Sequence, residues 1–335
     1  MKKVILDVLG GDNGAKSTLA GAIMAMKREP SLNLVLVGDE KVINEAFTKH
    51  PELKDRIEIT HTTVNIEMGE VPTTAIRTKT NSSMVIGMDA LRTRDDCMAF
   101  VSAGSTGAVL TGSFMKVGRM TGVSRPALST MLPTLDRRGV LVLDLGANMD
   151  CKPVNLVHFA LMADVYLKEQ GIEKPRIGLL SVGTEDEKGN ELTHAAFEIL
   201  KKMPINFVGN IEARDAFGGN YDAVITDGFA GNVLLKTLEG CGKLFSSELK
   251  RAIGGVGGLL GKLLLARRLI KMKKRLSEDA VGGALLLGTK KPVIKAHGNS
   301  NPTAICNAIL FALNVGNMNL GDKISKVIAD NPVEE

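Results

Sequence analysis

The chain has 335 residues, 44% of them hydrophobic, enough for a sizeable core in one large α/β unit or two smaller lobes. It contains no Trp and two Tyr, which argues against nucleic-acid recognition by base stacking. Net charge is only +5; the four cysteines and five histidines are scattered, so no dedicated zinc site is expected and a reducing, cytoplasmic setting is.

The N-terminal MKKVILDVLGGD meets Asp7 too early for a signal peptide, and no window holds 18 uncharged apolar residues. A soluble, intracellular protein is expected. In chain order the apolar runs and helical periodicities predict strand 3–8, helix 16–28, strand 33–37, helix 39–48, helix 83–94 and strand 97–101. They continue as helix 106–119, strand 140–145, helix 154–169, strand 176–181, helix 190–202, strand 222–226, helix 230–250, strand 292–295 and helix 302–315. Continuous apolar strands separated by helices predict a largely parallel sheet in an α/β/α sandwich. There is no internal repeat or long linker, so residues 1–335 read as a single α/β catalytic unit.

Five of the strands run into Gly-containing polar loops: GGDNGA, SAGSTGA, GANMDCKP, GTEDEKGNE and DGFAGN. One such loop is ordinary turn chemistry. Five are expected to share the carboxyl edge of the sheet, where ligands of parallel α/β folds bind, and backbone N–H groups in such loops suit an anion. The nucleotide signatures are missing: there is no G-x-G-x-x-G and no Walker A motif. AGSTG has Ala103 where a nucleophile elbow has Gly, so Ser105 and Thr106 read better as phosphate contacts than as a nucleophile. In GTEDEKGNE, either an acidic helix start or a ligand-facing set of Thr184, Lys188 and Asn190 supported by Glu185 fits the local sequence. Asp227 reads either as a helix cap or as a site carboxylate.

Residues 250–276 contain nine Lys or Arg and no acid. Leu265, Leu269, Met272 and Leu276 form one helical stripe, extended by Leu259, Leu260, Leu263 and Leu264. A basic amphipathic segment of this kind, projecting from the catalytic unit, predicts contact with a membrane surface through these leucines and Arg267, Arg268 and Lys271. Acidic acyl carrier protein and a dimer partner are the alternative occupants.

Taken in order, DVLGGD, SSM, SAGSTGA, GANMDCKP, GTEDEKGNEL, DGFAGN and AHGNS resemble the bacterial phosphate acyltransferases of phospholipid synthesis, over nearly the whole chain. The resemblance implies a fold similar to the isocitrate and isopropylmalate dehydrogenases and the phosphotransacetylases, usually as a homodimer. It implies transfer of a fatty acyl group from acyl carrier protein to inorganic phosphate, giving acyl phosphate for a membrane-bound glycerol-3-phosphate acyltransferase, at the membrane periphery. The chain departs from the family pattern in GGDNGA, which lacks the usual His and Pro, in MGEVP, where a more acidic stretch is common, and in Ser105, where Asn is usual.

Such a reaction needs no cofactor and no metal, because a thioester is already activated. Phosphate is expected among Ser82, Ser83, Ser105, Thr106 and Lys152, with Lys152 as the neutralising charge. Asp12, Asp150 and Asp227 would orient Lys152, Arg77 or Lys79 or accept a proton, His297 would protonate the departing thiolate, and Asn148 and Asn232 would line the site. A metal- and NAD-dependent dehydrogenase on the related fold and a non-enzymatic membrane scaffold are the competing functions.

Overall fold

The computed structural model describes residues 2–252 and 282–333. Strand β1 (Lys3–Asp7) is followed by α1 (Gly14–Arg28), β2 (Asn33–Gly38), α2 (Glu40–Phe47), β3 (Ile57–His61), α3 (Pro72–Thr78), α4 (Ser83–Thr93) and β4 (Cys97–Ser102). Helix α5 (Thr106–Gly112) runs into a π-helical turn, Ser113–Val117, and precedes β5 (Ala127–Leu132), β6 (Val140–Leu143), α6 (Pro153–Glu169), β7 (Ile177–Ser181) and α7 (Glu191–Leu200). The chain continues through β8 (Phe207–Glu212), β9 (Ala223–Ile225), α8 (Gly228–Ala252), β10 (Ala284–Leu287), β11 (Val293–Lys295), α9 (Pro302–Asn317) and α10 (Leu320–Asp330).

Local chemistry sets the helix starts. Asp39 Oδ1 accepts from Lys41 N at 2.9 Å, and Asn301 Oδ1 accepts from Ala304 N at 3.0 Å with Pro302 in the first turn. Asn190 and Thr193 exchange bonds in a reciprocal cap on α7. The expected helix 106–119 is shorter than its periodicity suggests: it widens into the π turn and stops at Gly118, whose φ of 83° suits only glycine well.

The strands form one sheet in the order β3-β2-β1-β4-β11-β10-β5-β6-β9-β7-β8. Helices α1, α2, α6, α7, α9 and α10 pack on one face, and α3, α4, α5 and the first turns of α8 on the other. Strands β1 to β4 and β11 are mutually parallel, as are β6 to β9. Between the two blocks, β11, β10, β5 and β6 pair antiparallel in succession. Three reversals leave the blocks pointing in opposite directions. The expectation that all five polar loops share one edge is therefore corrected. Those after β1 and β4 lie at one edge with AHGNS, which follows β11, and those after β6, β7 and β9 lie at the other.

Residues 250–252 complete α8; the rest of the basic segment, including Leu259, Leu260, Leu263, Leu264, Arg267, Arg268 and Lys271, lies outside the described residues. Among the described residues no single helix is long and apolar enough to cross a membrane.

Candidate active site

Each block ends its leading strand with a buried aspartate that organises the loop beyond it. At the end of β1, Asp7 Oδ1 accepts from Leu9 N and Gly10 N at 3.2 Å each, and Oδ2 accepts from Ser102 Oγ at 2.7 Å. Ser102 Oγ accepts in turn from Gly104 N at 3.0 Å, tying GGDNGA to SAGSTGA. Beyond β6, Asp144 Oδ1 accepts from Leu128 N, Gly146 N and Ala147 N, and Oδ2 from Asn148 N and Asn148 Nδ2. Burial pushes both carboxyl groups above the usual range, against these hydrogen bonds.

The first block gathers three loops. Asp12 N donates to Gly298 O at 2.7 Å, and Asn13 Nδ2 donates to the carbonyls of Asn299 and Ser300. A Cβ on Gly11 would lie 2.9 Å from Ala103 Cβ and 3.0 Å from Gly298 O, and one on Gly298 would meet Met68 and Asp12. Glycine is what lets GGDNGA, SAGSTGA and AHGNS close on one another, with MGEVP against them. Ser105, Thr106 and His297 are accessible at this edge.

The other predicted contacts on this side are Ser82, Ser83, Lys79 and Arg77. Ser82 caps α4 and Ser83 is buried; Ser83 Oγ makes no hydrogen bond of ordinary geometry, yet it lies close enough to Asp7 to favour the carboxylate. Both serine side chains are buried beside the GGDNGA loop's anchoring Asp7 and α4. Lys79 Nζ pairs with Glu70 Oε1 at 2.7 Å and donates to Asn65 O, while Arg77 is exposed on α3.

In the second block, the Asn148 amide is buried and bonded to Pro126 O and Asp144, so it builds the loop. Asp150 and Lys152 are exposed, Lys152 as the residue capping α6. Burial lifts the nearby Cys151 thiol to about 11, which leaves it a poor nucleophile. Asp227 Oδ1 accepts from Ala230 N at 2.8 Å and caps α8. Asn232, one turn on, lies against Gly146. Asp227, Asn190, Ser181 and Thr226 line a cavity of about 340 Å³ at the ends of β7 and β9. The neighbouring loop is held by Asn210 Nδ2, which donates to Glu185 O and Lys188 O, with Thr184, Glu185 and Lys188 exposed.

Sequence reasoning missed Lys295, the last residue of β11. Its Nζ donates to Ala296 O, and burial pushes its pKa down to about 8, with Asp12 opposing that shift and Lys236 of α8 adding to it. The available signal was a single cation inside the apolar run PVIKA.

A parallel α/β scaffold with Gly-rich loops at the strand ends and an antiparallel waist is the fold of the phosphotransacetylases. A phosphotransacetylase from Streptococcus pyogenes superposes with a TM-score of 0.62 at 15% identity, covering 95% of this chain and 94% of that one. A 4-hydroxythreonine-4-phosphate dehydrogenase from Salmonella typhimurium gives 0.52 at 14%, covering 94% and 99%. Residues 2–323 match the family described as "Fatty acid synthesis protein". A phosphate acyltransferase of Lysinibacillus sphaericus is 46% identical over 310 residues, 92% of each chain. The chain belongs to the phosphate acyltransferase family and is an acyltransferase.

Proposed function

We propose that the chain transfers a fatty acyl group from an acyl carrier protein thioester to inorganic phosphate, releasing acyl phosphate for phospholipid synthesis. The observation that carries this reading is the closure of GGDNGA, SAGSTGA and AHGNS on one another at the ends of β1, β4 and β11, in a chain of this family. A phosphate oxygen attacks the thioester carbonyl, the tetrahedral oxyanion is held by backbone N–H groups, and the thiolate leaves. Ser105 and Thr106 present hydroxyls to the phosphate, and His297 stands where a proton can reach the sulfur. Asp227 and Lys152 act from the second block, where Asp227, Asn190 and the adjacent Thr184–Lys188 loop offer a place for the carrier's pantetheine arm. Asp150 and Arg77 set the local field at the rims, and Asn232 holds α8 to the Gly146 loop.

The exposed apolar residues of α8, Phe229, Val233, Leu244, Phe245 and Leu249, support a homodimer. Peripheral membrane contact through 259–271 would place the product beside a membrane-bound glycerol-3-phosphate acyltransferase. The reading is tested by thiol release from palmitoyl-acyl carrier protein with and without phosphate, with hydroxylamine trapping any acyl phosphate. Phosphate-dependent release with a trapped hydroxamate is expected; phosphate-independent release, or none from folded protein, rejects it.

A further inference from the structure

We propose that Lys295 is the phosphate-binding cation of the site, restrained by Asp12 and matched across the sheet's waist by Lys236. This deepens the acyl-transfer reading and rests on it.

Period-two alternation puts Lys295 on the same face as Val293, which belongs to the core under α3, α4 and α5, while Ile294 belongs to the core beneath α9. The first turns of α8 cover the other end of that face through Leu234, Leu235 and Leu238. Pairing sets Lys295 beside Ser102 on β4 and Ala284 on β10, and the next strands continue that level as Thr130 and Val142. Lys295 is thus the last residue of β11 before the AHGNS loop, on the sheet face covered by α3, α4 and α5 at one end and by the first turns of α8 at the other.

Its electrostatics match this placement. Among the described residues no carboxylate lies within ion-pair distance of Lys295, and its hydrogen-bond acceptor is its neighbour's carbonyl, Ala296 O. Asp12 acts on it only through space, and Lys236, itself paired with Glu239 at 2.7 Å, adds like charge. A half-buried lysine whose ammonium has no paired anion is costly at the end of an apolar strand. A phosphate between Lys295 and Lys236 removes that cost, and Asp12 keeps the ammonium from being captured too tightly. In the step this serves, the phosphate O–C bond forms to give the tetrahedral oxyanion, and the C–S bond breaks as that oxyanion collapses. The proton of the monohydrogen phosphate ends on sulfur, and Lys295 stays cationic throughout.

The test uses the intact chain with palmitoyl-acyl carrier protein. In K295M the KM for phosphate is expected to rise at least about tenfold, with the KM for the acyl donor nearly unchanged. In the wild type, kcat/KM for phosphate is expected to fall as pH rises through about 8, where Lys295 loses its charge. K295R, which stays charged, abolishes that alkaline limb, and D12N moves it to lower pH. An unchanged phosphate KM in folded K295M, or an alkaline limb that persists in K295R, overturns the assignment of Lys295 alone. A wild type without phosphate dependence overturns the acyl-transfer reading beneath it.

Discussion

The Asn148 side chain bridges Pro126 O at 2.8 Å and Asp144 Oδ2 at 2.9 Å, binding the loop after β6 to the start of the antiparallel strand β5. Asp144 in turn holds Leu128 N from the same strand. One buried carboxylate therefore sets both the turn and the waist of the sheet.

Removing that carboxylate should be severe. Asp144→Ala leaves the N–H groups of Leu128, Gly146, Ala147 and Asn148 without their acceptor, and a loss of about 3 kcal/mol or more is expected in urea denaturation. Because burial raises its pKa, the native state binds that proton more readily than the unfolded chain. Its contribution to stability therefore falls as pH climbs out of the ordinary aspartate range. Asp144→Asn should flatten that slope; an identical slope in both proteins would show that another group titrates.

At the N-terminal ends of β1, β3 and β4, Lys3 and Arg94 pair with Glu58 and Asp96. Arg94 above all holds Glu58 down to about 2 and Asp96 lower still. Depressed carboxyl pKa values stabilise the fold above about pH 4.5, and that contribution disappears as pH falls through about 2. The gap in Tm between wild type and Arg94→Met should be widest near neutrality and close on acidification. It should also shrink in high salt, since these side chains are part-exposed. A gap constant across pH would refute the account.

Two glycines of α8 should respond oppositely to the same change. A Cβ on Gly231 would lie 1.9 Å from Asp144 O, so Gly231→Ala is expected to cost about 3 kcal/mol and to pull α8 off the Gly146 loop, with loss of turnover. Gly240 has open space around it, and Gly240→Ala should stabilise by about 0.5 kcal/mol or more. Calorimetry on both variants decides it.

Asp227 separates its two roles by substitution. Asp227→Ala removes the cap on α8 and should cost about 1 kcal/mol. Asp227→Asn keeps an acceptor for Ala230 N, so its stability should be near wild type while kcat drops by about tenfold or more. Full activity in Asp227→Asn would leave Asp227 only its cap.

The apolar runs were sufficient to read β1, β2, β4, β6, β7, β9 and β11, because these strands are covered on both faces and carry few polar residues. Strands β3 and β8 escaped because each lies at an edge, with IEITH half-exposed and FVGNIE broken by Gly209 at φ 94°. β5 carries Ser129 and Thr130 inside its run, and β10 is a four-residue strand directly after two glycines at positive φ. The site's loops were legible from their glycines, but their division between two edges was not. That division depends on β5 pairing with β10, some 150 residues away, which local patterns do not encode. Asp227 showed the opposite ambiguity: its cap was readable, and geometry alone shows it also facing the cavity.

The position of β11 has a consequence for how the chain comes to be made. It pairs with β4, and α9 lies so close on α1 that a Cβ at Gly21 would sit 2.6 Å from Ile305. During synthesis, β1 to β4 emerge long before the strand that seals their open edge and the helix that covers α1. The first block is thus finished by the last fifty or so residues, and cannot close until the second has been built. A nascent chain of this protein is exposed to misassociation for most of its translation. A truncation near residue 290 would injure the beginning of the fold more than its end.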